Sequence, residues 1–97
     1  MLTKTQKQFL KGLANPLKAM VTIGKTGLTE NIINSIEEQL TAHELVKVSV
    51  LNTCDQPISE MAIEIAAETS SEIISQLGHK IVFYRRNLRD SKIVLPK

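Results

Sequence analysis

The spacing of apolar positions alternates along the chain between the two periods that separate helices from strands. From Thr3 to Ala14, Phe9, Leu10 and Leu13 recur at helical spacing and predict a buried side, while Lys4, Lys7 and Lys11 share another. Asn15-Pro16 ends this helix, because a proline disfavours helical geometry in the residue before it. Ala19-Met20-Val21-Thr22-Ile23 then reads as a short buried strand. A second helix runs from Thr29 to about His43, with Ile32, Ile33, Ile36 and Leu40 as its stripe, Thr29 as N-cap, and Leu28 and Ile33 placed to form a hydrophobic staple. Leu45 to Leu51 alternates, with Val46, Val48 and Val50 on one face.

Strand, helix and strand with short links predict a βαβ unit with parallel strands and a right-handed crossover. After the polar turn from Asn52 to Gln56, a third helix starts near Pro57. Ile58, Met61, Ala62, Ile65 and Ala66 form its apolar stripe, and Glu60, Glu64 and Glu68 fall on a different face. Glu72 to Leu77 suits a helix end or a strand. The strand is the better reading, because Gly78-His79 marks a turn and Lys80 to Arg85 reads as a strand, which makes a hairpin. The expected architecture is a single α/β domain over residues 1–97, of the two-layer α+β kind: an N-terminal helix followed by β-α-β-α-β-β.

Charge changes this picture more than composition does. The 97 residues carry a net charge of only +2, but it is divided by position. Met1 to Gly27 holds five lysines (Lys4, Lys7, Lys11, Lys18 and Lys25) and no acid; Leu28 to Glu72 holds nine acids against Lys47; Ile73 to Lys97 holds six bases, among them Arg85, Arg86 and Arg89, against Asp90. If the fold gathers both ends on one side, the result is a basic face of the kind that meets a polyanion. Solvated faces are the commoner outcome of charge runs, and the Glu60, Glu64, Glu68 stripe has that reading too, beside one as a docking face for a basic protein.

Other chemistry is sparse. Cys54 has no partner for an internal disulfide and is expected to be inert, which agrees with a reducing compartment. With only His43 and His79 to join it, no metal-ligand spacing exists, and His43 reads as a cap or packing residue. No apolar run approaches the length of a membrane span and Met1 to Asn15 has no signal-peptide core, so a cytoplasmic protein is the expectation.

The bend between the first strand and the second helix is the candidate site. Ala19 to Thr26 fits a relaxed nucleotide-binding pattern ending in Gly24-Lys25-Thr26. A phosphate cradle needs small residues between its ends, whereas Met20, Val21, Thr22 and Ile23 are bulky strand formers, and no magnesium-binding aspartate follows an apolar strand. Nucleotide hydrolysis is therefore rejected. Gly24-Lys25-Thr26-Gly27 is better read as a Gly-x-x-Gly loop, which in KH domains clamps the nucleic-acid backbone. A plain turn made by Gly27 is the alternative. The helix that follows adds unpaired amides and a partial positive charge.

Several ordered stretches carry a wider resemblance. Lys7-Gln8-Phe9-Leu10-Lys11-Gly12-Leu13-Ala14 with Pro16-Leu17-Lys18 opens it, Ile23 to Thr29 follows, then His43-Glu44-Leu45-Val46-Lys47-Val48, and Gly78 with Ile81-Val82-Phe83-Tyr84-Arg85-Arg86 closes it. Over nearly its whole length the chain resembles the bacterial single-domain members of the CRM family (chloroplast RNA splicing and ribosome maturation), the YhbY type. The resemblance implies a mixed four-stranded sheet with helices, similar to the C-terminal domain of translation initiation factor three. It also implies RNA binding without catalysis or cofactor, on rRNA in precursors of the large ribosomal subunit, and it carries the family loop onto Gly24, Lys25, Thr26 and Gly27. The end of the third helix departs from the family, with Thr69-Ser70-Ser71 where a glycine is frequent.

The expected RNA-binding set is thus Gly24, Lys25, Thr26 and Gly27 with Lys4, Lys7, Lys11, Lys18, Arg85 and Arg86, in a monomer with no metal and no membrane partner. Tyr84 is a candidate for stacking on an unpaired base, with a core position as the alternative.

Overall fold

The computed structural model describes residues 2–25, 27–51 and 57–86. Its elements follow the order that the apolar spacing predicts: α1 (Lys4–Ala14), β1 (Val21–Ile23), α2 (Glu30–His43), β2 (Leu45–Val50), α3 (Ile58–Thr69), β3 (Glu72–Leu77) and β4 (Lys80–Tyr84). Thr3 starts α1 with a capping box, its side chain accepting from the Gln6 amide while the Gln6 side chain accepts from the Thr3 amide. Thr29 caps α2 as expected, whereas Pro57 is the N-cap of α3 rather than its first helical residue.

The strands form one mixed sheet in the order β1-β2-β4-β3. β1 and β2 are parallel, and β4 is antiparallel to both β2 and β3. Residues 72–77 are therefore a strand, paired to β4 through the turn at Gly78-His79. Between Ile73 and Ser75 the register slips by one residue, leaving Ile74 unpaired in the ladder, with Ile73 packing on one face of the sheet and Ile74 on the other.

The sheet is covered on both faces, one layer more than the two expected. Ile81 and Phe83 of β4 join Val46, Val48 and Val50 of β2 against Ile36, Leu40, Met61 and Ile65 of α2 and α3. Val82 and Tyr84, which alternate with them, point the other way and pack with Leu45 and Ile74 against Leu10 and Ala14 of α1. β4 is apolar on both sides, and without a second cover its Val82 and Tyr84, with Leu45 and Ile74 beside them, would be wet.

Among the described residues α1 is the one helix on its face, and that corrects the expected buried stripe. Leu10 and Ala14, four residues apart, seat on the sheet, while Phe9 and Leu13 remain 40% and 39% exposed because no other described helix closes over their flank. Lys47 fastens the end of this helix. From β2 its ammonium donates to the carbonyls of Ala14 (3.3 Å), Asn15 (3.5 Å) and Leu17 (3.1 Å) where the helix stops, the Ala14 oxygen also accepting the Leu17 amide at 2.9 Å.

Candidate functional site

Parallel pairing puts the C-terminal ends of β1 and β2 side by side, and the Gly24–Gly27 bend leaves the sheet there. Leu51 N–H donates to Ile23 at 2.9 Å, and Val50 N–H donates to His79 at 2.7 Å, which brings the β3–β4 turn to the same end. Lys25 and Lys80 are both exposed at this end. Lys80 is a basic residue that the sequence reading missed; the hairpin could have flagged it, since a turn returns its first strand residue to the edge where β2 ends.

The bend closes on itself. Gly27 is buried at φ 75°, and its N–H donates to the Gly24 carbonyl at 3.0 Å. The positive φ explains glycine at this position. Gly24 needs no such conformation, and a Cβ there would meet Leu51 at an ordinary 3.7 Å. The Thr29 side chain accepts the Ile32 amide at 3.3 Å, and Glu30 places a carboxylate in the first turn of α2. Fewer amides face outward than a bare cradle would offer, and Glu30 opposes an anion at the helix N-terminus. Among the described residues the Lys25 amide and ammonium remain without a partner. Thr26 lies outside the described residues, as do Cys54, Arg89 and the apolar tail segment from Ile93 to Leu95.

The two chain ends do not converge on the bend. β4 runs antiparallel to β2 from Lys80, opposite Ser49, to Tyr84, opposite Leu45. Four strand steps of about 3.4 Å therefore separate the Lys80 end from the end that carries Arg85 and Arg86. Arg85 is also committed: its Nη1 donates to Glu37 (2.8 Å) and to the Thr69 carbonyl (2.9 Å), and Nη2 donates to the Thr41 hydroxyl (3.0 Å). A carbonyl at the end of α3 is thus satisfied, which helps Ser70 take the left-handed position there (φ 54°) in place of a glycine. Arg86 is exposed and has no partner among the described residues.

Tyr84 is core. It is 4% exposed, and its hydroxyl has no hydrogen-bond partner among the described residues. Burial raises its pKa above the ordinary value, the Glu44 carboxylate raises it further, and Arg86 acts in the opposite sense. It offers no ring face for stacking.

What joins the two ends is α1. Its start, at Leu2 and Gln6, lines a cavity of about 400 Å³ with Glu72, Tyr84 and Arg86; its finish, at Ala14 and Asn15, shares a cleft with Leu77 and Lys80. Lys4 and Lys11 are exposed along it and Lys7 is half-buried, while Lys18 is exposed in the link to β1. Charge is thus divided by layer: α1 has three lysines and no acid, whereas α2 and α3 carry Glu30, Glu37, Glu38, Glu60, Glu64 and Glu68 and neither lysine nor arginine. Among the described residues no group of three or more His, Cys, Asp or Glu side chains is placed to hold a metal ion, and no helix is long and apolar enough to cross a membrane.

The family model for the CRS1/YhbY (CRM) domain matches residues 2–85, nearly the whole of this architecture. The chain belongs to the CRM family. Among its CRM relatives, the "Probable RNA-binding protein YqeI" of Bacillus subtilis is 36% identical over 96 residues, covering 99% of this chain and 100% of that one. An "RNA-binding protein" of Haemophilus influenzae is 41% identical over 97 residues, covering 99% and 96%. The solution structure of a hypothetical protein from Staphylococcus aureus superposes with a TM-score of 0.82 at 38% identity, over 99% of this chain and 100% of that one. The three helices and mixed four-stranded sheet are therefore the fold of that CRM relative as well.

Proposed function

We propose that the chain is a non-catalytic RNA-binding protein that meets its RNA with the α1 side of the sheet. The observation that carries this reading is the division of charge across the sheet, lysines on the single helix of one face and glutamates on the two helices of the other. Lys4, Lys7, Lys11 and Lys18 neutralise phosphates along α1, with Arg86 at one end and Lys25 and Lys80 at the other. At the Gly24–Gly27 loop the Lys25 amide and ammonium take a phosphate, and the small glycines let the backbone come close. The names of the CRM relatives support RNA as the partner class. The family resemblance supports rRNA of large-subunit precursors as the target, and the reading takes the protein as a cytoplasmic monomer. Base identity has little part in such contacts, so recognition runs through backbone and shape.

The test is a titration with structured rRNA fragments at several salt concentrations. Four or five phosphate contacts give a log–log slope of about −3 to −5. Lys7→Glu with Lys11→Glu should flatten the slope and weaken binding, while Glu64→Lys leaves affinity equal or slightly higher. No binding at low salt would reject the reading. One observation favours a second reading, an adaptor for a basic ribosomal protein: Ile63 is 65% exposed one turn along from Glu60, an apolar anchor at the edge of the acidic face. Ile63→Ser would then abolish capture of that protein and leave RNA affinity alone.

A further inference from the structure

Among the described residues, Phe9 and Gly12 of α1 belong to neither hydrophobic cluster. Of the chain's three aromatic rings, Phe83 and Tyr84 are buried, and Phe9 alone is open to solvent. Gly12 lies three residues further along the same helix, where a Cβ would meet no heavy atom within 4 Å. Gly12 is not at positive φ either. Glycine weakens a helix relative to alanine, and here neither packing nor backbone geometry asks for it.

The helical spacing places Gly12 on the outer crest of α1. Lys4, Lys7 and Lys11 line one flank, and Phe9 with Leu13 lines the other. The crest carries Thr5 and Gln8 nearer its start and is bare at Gly12, between a cationic side and an aromatic one. A ligand that fits both flanks has an anionic part and a flat apolar part, and comes close enough to the helix backbone that a side chain on the crest would obstruct it. An unpaired nucleotide has that chemistry: phosphates for the lysines and a base for the ring.

We propose that the crest of α1 seats a single-stranded stretch of RNA, with one base stacked on Phe9, its sugar passing over Gly12 and the adjoining phosphates on Lys7 and Lys11. This rests on the RNA-binding reading and goes beyond it, because it adds a single-stranded contact to one of backbone and shape. Stacking on a ring tolerates any base, so the seat selects for an unpaired base and not for a sequence.

The experiment uses the full chain and two RNA probes: a ten-nucleotide single strand with a central 2-aminopurine, and a hairpin that pairs the same bases. The wild type should quench the fluorescence of the single strand and bind it more tightly than the hairpin. Phe9→Leu, which keeps an apolar side chain and removes the ring, should lose the quenching and about five- to hundredfold in affinity while the salt slope stays the same. Gly12→Gln should raise the melting temperature and lower the affinity, two effects of opposite sign that a purely structural glycine could not give. If both variants bind and quench like the wild type while the wild type binds RNA, the seat is wrong and the broader reading stands. If the wild type binds neither probe at low salt, nor the rRNA fragments, both fall. A Phe9→Leu change confined to self-association in sedimentation would give the stripe to a second copy and overturn the proposal.

Discussion

The guanidinium of Arg85 donates to the carboxylate of Glu37 at 2.8 Å, joining the end of the last strand to the middle of α2. The same group holds the Thr69 carbonyl and the Thr41 hydroxyl, so one side chain links β4, α2 and the end of α3. An ion pair as exposed as this one contributes little by itself, under about 1 kcal/mol. The charged hydrogen bond to the Thr69 carbonyl adds more, about 1.5–3 kcal/mol. Arg85→Ala should therefore cost about 2 kcal/mol in urea unfolding. The folded variant should bind RNA within about twofold of the wild type, whereas Arg86→Ala should weaken binding without lowering the melting temperature.

The two glycines of the bend should respond differently. Gly27, at φ 75°, makes any side chain strained, and Gly27→Ala should lose about 1–2 kcal/mol of stability. Gly24 has room for a Cβ and an ordinary backbone. Gly24→Asp should melt like the wild type and lose at least about tenfold in RNA affinity, because it sets a carboxylate beside Lys25. Thermal melting with filter binding reads both. Equal affinity in Gly24→Asp would remove the loop from the interface.

Tyr84 gives the protein an alkaline limit. Its pKa is held above 10.0, by burial first and by Glu44 second, so the folded state binds the phenolic proton more tightly than the unfolded chain does. The resulting stabilisation is whole below pH 10 or so and is lost as pH rises through the folded-state value. Tyr84→Phe should remove that decline and, by deleting a hydroxyl without a partner, match or exceed wild-type stability at neutral pH by up to about 1 kcal/mol. Urea titrations from about pH 8 to pH 11 would show it.

Lys47 is a basic residue whose ammonium faces carbonyls instead of solvent. Lys47→Met keeps the stem and removes the donors to Ala14, Asn15 and Leu17, which should cost about 1–2 kcal/mol. Hydrogen exchange should accelerate most in α1. RNA affinity should fall only as far as α1 loosens, and a loss with α1 still protected would make Lys47 a direct contact.

The element order was legible because each element has its own apolar period, and the bend because two glycines interrupt a strand before a capped helix. The identity of the buried side of α1 was not. Phe9, Leu10 and Leu13 are equally apolar, and it is the seating of α1 on the sheet, with no other described helix on that face, that covers Leu10 and leaves the others open. Arg85 looked available because its partner Glu37 lies 48 residues away and the pairing depends on how β4 ends against α2. Spacing likewise could not show that the Gly27 amide closes the bend, since that depends on backbone dihedrals. Lys80 was visible in the sequence but not its position, which follows from the hairpin returning beside β1 and β2. The charge blocks are plain in the sequence, but only the fold shows that the lysines of α1 and the glutamates of α2 and α3 lie on opposite faces of the sheet, with Arg85 paired to the acidic side.

Among the described residues, that division by face makes an electric dipole whose axis pierces the sheet. In the field of a polyanion such a body is turned before it touches, so more of its encounters are productive, and the effect fades as added salt shortens the reach of the field. On the proposed RNA-binding reading the glutamate side would then face outward and repel any second nucleic-acid strand, a one-sided adhesive that coats RNA without gluing two segments together.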